Sequence, residues 1–177
     1  MEIVPGTTED AATVADLWMS LAEEQTAYGS RVDPASNRAS VREAASRHAV
    51  SGGLLVARLE GQDVDGEVGT DSDSGAVTDG DVVGFVMFHV EDETRGQRRG
   101  VVENLYVVPD YRNRGIGGQL LARAERRLAD RGAEFVSLEA MADNEDARRF
   151  YRQQGYDPHR VRLEKPLESD TDSKGEG

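Results

Sequence analysis

Arg112-Asn113-Arg114-Gly115-Ile116-Gly117-Gly118 follows an apolar run and opens a helical pattern, an order of residue types suited to holding an anion. Glycines let backbone approach a ligand closely, and the free N–H groups of a helix's first turn, at its positive dipole end, bind phosphate oxygens. A pyrophosphate would fit there. Between Arg95 and Arg131 nine arginines stand against four acids, a basic island that also points to an anionic ligand. The plainer reading is a glycine-rich strand-to-helix turn with surface arginines. Spacing excludes two nucleotide-binding alternatives. The dinucleotide fingerprint needs a third glycine where Leu120 stands, and a Walker loop needs Gly-Lys-Ser/Thr, which is absent.

Upstream, Glu103 lies within Val101 to Val108. Strand alternation places it on one face with Val101, Leu105 and Val107. A carboxylate among apolar neighbours has a raised pKa, which suits a general base working near neutrality. A strand-end charge reaching solvent is the alternative, and Asn104 offers a second polar group on the other face. Downstream, Asn144 precedes Glu145-Asp146 and reads as a helix N-cap. Tyr151 follows Ala147 by one helical turn and reads as core packing with Phe150, although such a ring can still present its hydroxyl to a cleft.

The elements that must position these residues follow from periodicity. Glu2 to Val4 is a short strand, and Thr7-Thr8-Glu9-Asp10 suits the start of a helix carrying Val14, Leu17, Trp18, Leu21 and Ala22. A second helix spans about Ala39 to Val50 and closes at Ser51-Gly52-Gly53. Leu54 to Leu59 and Val82 to Val90 read as an antiparallel pair. The 61–81 stretch between them holds seven acids, five glycines and no basic residue, too polar to bury a core, and is read as a flexible acidic insertion. Val101 to Val108 is a strand stopped by Pro109. Ile116, Leu120, Leu121, Ala124 and Leu128 mark an amphipathic helix ending near Gly132. Then come a strand at Phe135 to Ala140, a short helix at Asn144 to Gln154 and a last strand at Arg160 to Leu167. The fold class is α+β, with one strand-helix-strand unit in its second half. Residues 168–177 form a polar tail expected to be disordered.

Arg112-x-x-Gly115-x-Gly117 resembles the acyl-CoA signature of the GNAT acetyltransferases, and Glu103 to Pro109 resembles that family's fourth strand. Asn144-x-x-Ala147-x-x-x-Tyr151-x-x-x-Gly155-Tyr156 is similar to a second family segment, in the expected order. The resemblance is strongest over about residues 82 to 165. It implies a single N-acetyltransferase domain over 1–167, with a mixed sheet of about six strands flanked by about four helices. It also implies acetyl-CoA as cosubstrate, with the pyrophosphate held by backbone amides of Asn113, Arg114, Gly115, Ile116, Gly117 and Gly118 in the turn that Arg112 opens. The pantetheine arm would pair with backbone of Leu105, Tyr106 and Val107. Asn144 would add a cofactor hydrogen bond, Tyr151 would meet the CoA sulfur as proton donor, and Glu103 would sit where some members carry the catalytic glutamate. No metal is required by this chemistry.

An alkylammonium acceptor, with a pKa of about 10.4, must lose a proton before it attacks a thioester. Glu103, through water, would take that proton, and a backbone N–H near Val107 would stabilise the oxyanion. The acceptor is an amine: a small molecule, or a protein N-terminus or lysine. Trp18, Tyr28 and the segment Gly29 to Ser40 are candidate walls for it, with core packing the plainer role for Trp18. A CoA-binding regulatory protein with an inactive transferase fold is the rival reading, and retention of both Glu103 and Tyr151 argues against it. An acidic partner-binding module acting through residues 61–81 is a third.

Composition bounds these readings. The 177 residues carry no cysteine, so neither a disulfide framework nor a thiolate site can form. His48, His89 and His159 show no metal-ligand spacing. A formal charge of -13, with 34 acids against 21 basic residues, argues against nucleic-acid binding. Only Lys165 and Lys174 are lysines, and an acidic, lysine-poor surface is similar to that of halophile proteins, although a GC-rich genome also favours arginine. No run of apolar residues is long enough for a membrane span, and the N-terminus is not a signal peptide. A cytoplasmic protein without membrane or nucleic-acid partners is expected, with a homodimer left open.

Overall fold

Leu54-Leu55-Val56-Ala57 has no polar side chain to offer water on either face, and as strand β2 (Leu54–Arg58) all four residues are buried. Such a run needs cover above, below and on both edges. β1 (Glu2–Pro5) and β3 (Val82–Asp92) flank it antiparallel. β4 (Arg98–Val107) follows antiparallel to β3, and β5 (Phe135–Leu138) lies parallel to β4, giving the order β1-β2-β3-β4-β5. This computed structural model describes residues 1–60, 80–92 and 96–165. The expected insertion, apart from its last two residues, lies outside the described residues. So do Arg95 and the tail from 166 onward.

Helices cover both faces. On one, Ile116, Leu120, Leu121, Ala124 and Leu128 of α3 (Ile116–Asp130) bury against Leu55, Ala57, Val86, Phe88 and Val102, and α4 (Glu145–Gln153) adds Phe150 and Tyr151. Each fully buried leucine or isoleucine in that stripe contributes about 1.5–3 kcal/mol relative to exposure. On the other face α1 (Ala11–Thr26) and α2 (Pro34–Ser51) place Ala11, Val14 and Ala45 over Leu54, Val56, Phe85, Met87 and Tyr106. Ahead of α1, the N–H and hydroxyl of Thr7 both donate to Asp10 Oδ2, at 2.8 and 3.0 Å, and Arg58 of β2 pairs with the other carboxylate oxygen.

The largest differences from the sequence expectation are at the start of α2 and beyond α4. α2 begins at Pro34 rather than near Ala39, because Asp33 is extended and a proline with its fixed φ suits the first helical position, where no N–H partner is needed. The expected strand at Arg160 to Leu167 is not formed over its described part: residues 160–165 have no regular structure. Val161 and Leu163, which gave the alternating pattern, are 80% and 88% exposed. Without a neighbouring strand to take its backbone groups, alternation does not make a strand. The described sheet therefore has five strands rather than six, with four helices as expected.

Candidate active site

The β3–β4 ladder runs in step from Gly84↔Val107 to Met87↔Asn104, then resumes one residue out of step at Phe88↔Val102. Glu103 is the extra residue of this bulge. A bulge reverses which face each following residue occupies, so Leu105 and Val107 pack with the α3-side core while Tyr106 joins the core under α1 and α2. The expectation that Glu103 shares a face with Leu105 and Val107 is thereby corrected. Glu103 and Asn104 both meet groups on the α1–α2 side. Asn104 Oδ1 accepts from Trp18 Nε1 at 3.1 Å, which ties the candidate acceptor wall to β4.

Two histidines without any sequence spacing to mark them flank Glu103. His48 Nε2 lies 3.2 Å and His89 Nδ1 2.7 Å from the same oxygen, Oε1. His48 reaches there because α2 ends at Gly52 in a left-handed turn, after which Gly53 lies so close to Phe88 that any Cβ would be 2.2 Å from its carbonyl oxygen. His89 alternates with Phe85 and Met87 along β3. Its other nitrogen, Nε2, is 3.0 Å from Glu91, and Glu91 is gripped by Arg99. The hydrogen bond from His48 is the main reason that the Glu103 carboxyl lies below its ordinary pKa, outweighing the opposing effect of burial. The direction is opposite to that expected from an apolar setting. Among the described residues His48, His89 and Glu103 are also the one group of such donors able to converge on a metal ion. The 2.7 Å contact, however, is shorter than the roughly 3.3 Å between ligands of a tetrahedral zinc. It fits a direct imidazole–carboxylate contact.

The glycine turn is formed as the sequence implied. Asn113 and Gly115 both have positive φ, 59° and 78°, and Gly115 caps α3. The first backbone bond of that helix is Gln119 N–H to the Gly115 carbonyl, at 3.0 Å. The N–H groups of Ile116, Gly117 and Gly118 precede it and have no intrahelical acceptor, which suits phosphate oxygens. The arginines play a different part from the one the basic island implied. One terminal nitrogen of Arg112 donates to both carboxylate oxygens of Glu24 in α1, at 2.8 and 2.9 Å, and its Nε donates to the Val107 carbonyl at 2.8 Å. Arg123, Arg127 and Arg131 donate to main-chain carbonyls, and Arg98 and Arg99 pair with Asp92 and Glu91. Arg114 lies over the Tyr111 ring at 5.0 Å. Most of the island therefore ties elements together.

β5 accompanies β4 only from Arg99 to Val102. Beyond that point β4 continues with no strand on its outer edge among the described residues. Val108 N–H donates to Val83 on the β3 side, and ladder bonds in an antiparallel pair recur at every second residue. Tyr106 backbone thus faces β3, while the backbone groups of Leu105 and Val107 turn to the open edge. The Tyr106 hydroxyl donates to Glu24 at 3.0 Å, and burial, reinforced by Glu24, raises its pKa. Asn144 caps α4 by accepting from Ala147 N–H at 3.0 Å, which leaves its amide N–H groups out of the cap. Tyr151 packs edge-on between Phe150 and Tyr156. Desolvation pushes its pKa up to about 12, so at neutral pH the hydroxyl keeps its proton. Glu103 belongs to the α1–α2 side and Tyr151 to the α3–α4 side; the two are not in contact.

The sheet thus opens beyond Val102, where β4 loses its pairing with β5, and the chain carries free N–H groups at the start of α3. The model of the acetyltransferase (GNAT) family matches residues 20–156, and the chain belongs to that family. The aminoalkylphosphonate N-acetyltransferase of Salmonella typhimurium is 36% identical over 93 residues, which make up 52% of this chain and 60% of that protein. The chain thus spans about three-fifths of that relative's length. Among solved structures, the ribosomal-protein-alanine N-acetyltransferase of Brucella melitensis superposes with a TM-score of 0.57 at 24% identity, covering 92% of this chain and 100% of that one. A GCN5-related N-acetyltransferase of Ralstonia eutropha gives 0.65 at 23% identity, covering 94% and 97%. These likenesses show the fold. No described helix is long and apolar enough to cross a membrane.

Proposed function

We propose that this protein transfers the acetyl group of acetyl-CoA directly to an amine. The observation that carries this reading is the open β4 edge beyond Val102, with Glu103 at its bulge and the free N–H groups of Ile116 to Gly118 at the start of α3. The turn from Asn113 to Gly118 would hold the pyrophosphate, and the edge groups of Leu105 and Val107 the pantetheine. Acetyl-CoA supplies the activated thioester.

Glu103 receives the ammonium proton, through water, and the freed amine attacks the thioester carbonyl. A C–N bond forms as the C–S bond breaks, and a backbone N–H near Val107 would stabilise the developing oxyanion. Tyr151 gives the leaving thiolate its proton and regains one, through solvent, from the acylated nitrogen as that nitrogen becomes an amide. Holding the two reactants in line supplies a further share of the acceleration. The acceptor is a small amine or a polypeptide N-terminus or lysine. The Salmonella relative is named for aminoalkylphosphonates and the Brucella protein for an N-terminal alanine, so both kinds of acceptor belong in a test.

That test is thiol release from acetyl-CoA against a panel of aminoalkylphosphonates, polyamines, aminoglycosides and N-terminal peptides, at low and high salt. Release with at least one amine, together with its acetylated product, is expected. Acetyl-CoA binding without turnover on any acceptor would favour the regulatory reading.

A further inference from the structure

We infer that Arg112, together with Glu24 and Tyr106, is a positioning residue: it clasps the end of α1 to the open edge of β4 and so sets the acceptor wall against the strand that would receive the cofactor. The inference rests on the acetyl-transfer reading above and assigns the Arg112 side chain to that clasp rather than to phosphate.

Arg112 lies five residues beyond Val107, the last residue of β4, and its side chain turns back over the strand. Its Nε takes the Val107 carbonyl, one terminal nitrogen holds both Glu24 oxygens, and the guanidinium lies over the Tyr106 ring at 5.3 Å. The Tyr106 hydroxyl closes the cluster on Glu24 Oε1 at 3.0 Å. Burial above all raises the pKa of that hydroxyl, so it keeps the proton it donates. Ser20, one turn before Glu24 on α1, bears on the same hydroxyl. To serve a phosphate, the guanidinium would have to leave a carboxylate, a carbonyl and a ring together. The N–H groups of Ile116 to Gly118 need no such exchange.

Each contact has a positional consequence. The Val107 carbonyl points to the edge that β5 leaves uncovered. With Arg112 on it, the stretch from Leu105 to Val107 keeps the Leu105 carbonyl as its acceptor and the N–H groups of both residues as donors. An arm carrying amides then has one carbonyl to donate to, which fixes its register. On the helix side, Glu24 stands two residues before α1 ends at Thr26, and Tyr28 and the 27–33 link to α2 follow directly. Six residues before Glu24, Trp18 donates to Asn104. The helix is therefore tied to β4 at two points about 9 Å apart along its axis. Two ties fix a helix's direction where one would leave a pivot. The Arg112 and Glu24 side chains are each 40% exposed, and an ion pair so open to water adds little to stability. Its effect is on placement.

The chain has one tryptophan, so the Trp18 indole N–H is a single reporter of the α1–β4 contact that needs no turnover. In ¹H–¹⁵N spectra of the whole protein, Arg112→Gln and Glu24→Ala should each speed its hydrogen exchange by about fivefold or more. The double variant should go no further than the worse single one, because both remove the same contact. With an amine from the panel, each should raise the acceptor KM by a similar factor and by more than it lowers kcat. Acetyl-CoA affinity, measured by calorimetry, should change by less than about threefold in either. Glu24→Gln, whose amide oxygen can still accept, should recover part of the loss and keeps the test open if Glu24→Ala does not fold. A merely structural tie lowers Tm without separating acceptor KM from kcat, and that result overturns the inference. So does additivity of the two substitutions in indole exchange. An acetyl-CoA affinity that falls about tenfold or more with Arg112→Gln but not with Glu24→Ala makes Arg112 a phosphate ligand and overturns it as well. Coupled indole exchange in a protein that turns over no amine sinks the acetyl-transfer reading while the tie itself stands, so the two failures are distinguishable.

Discussion

Replacing Gly115 and Gly117 separately with alanine distinguishes conformational need from space in the phosphate turn. Gly115 has φ 78° and ψ 2°, and its added Cβ would meet nothing closer than Gln119 Nε2 at 3.8 Å. The cost of Gly115→Ala is therefore one of backbone conformation, roughly 1–2 kcal/mol for an L-residue in the left-handed region. The Gln119–Gly115 bond on one side and the left-handed Asn113 on the other hold the turn in place, so the loss should appear as stability. At about 2–4 °C per kcal/mol for a chain of this size, Tm should fall by about 2–8 °C. Gly117 is helical, and its Cβ would stand 3.4 Å from Phe150, ordinary contact. Gly117→Ala should be neutral or stabilising, since alanine is favoured over glycine in a helix by about 1 kcal/mol. Thermal and urea unfolding followed by circular dichroism measures both. Equal stability of Gly115→Ala and the parent, or a larger loss at Gly117 than at Gly115, refutes the reasoning.

Other consequences can be checked in parallel. Burial opposes the charge of Asp10, but hydrogen bonds from Thr7 and Arg58 outweigh it and hold the carboxyl below its ordinary pKa. A depressed folded pKa gives stability above the unfolded value of about 3.9 that is lost as pH falls through the folded one. Asp10→Asn should therefore lower Tm at pH 7, with the gap to the parent closing below about pH 4; a gap that persists unchanged at pH 3 contradicts this. Tyr151→Phe should slow turnover at thiolate departure, and an acyl donor with a more acidic leaving thiol should partly restore it. Unchanged turnover when chemistry limits the rate would remove Tyr151 from the mechanism. Stability should rise between low salt and about 2 M KCl, because self-repulsion at a charge of -13 is strongest when screening is weak. A flat or falling Tm argues against a halophilic surface.

Sequence periodicity carried the fold where burial is one-sided or complete. The α3 stripe from Ile116 to Leu128 and the apolar runs of β2 and β3 needed no tertiary information, and the glycine turn was legible because its residues act locally. The bulge at Glu103 was not, since one extra residue leaves the apolar pattern intact while reversing the faces beyond it. That slip explains why Glu103 meets imidazoles rather than Leu105 and Val107. His89 left a faint signal: pairing β3 with β4 sets it opposite Val101, one same-face step from Glu103. His48 left none, because its contact depends on how the end of α2 lies over the sheet. The arginines misled for a related reason. Their charge was visible, but the Glu24 carboxylate and the carbonyls of Ile3, Ser51 and Gly52 that absorb it lie far away in sequence.

The central claim, that Glu103 takes the acceptor's proton during direct acetyl transfer, is tested most directly by single-turnover acetylation with Glu103→Gln beside the parent protein. Acetyl-CoA affinity should be unchanged, because an amide of the same shape leaves the Asn113 to Gly118 turn alone. The transfer rate should fall by about 10²-fold or more, the scale on which a general base acts, and should recover as pH rises and more amine arrives deprotonated. A Glu103→Gln protein that keeps the parent's rate and pH profile contradicts the account.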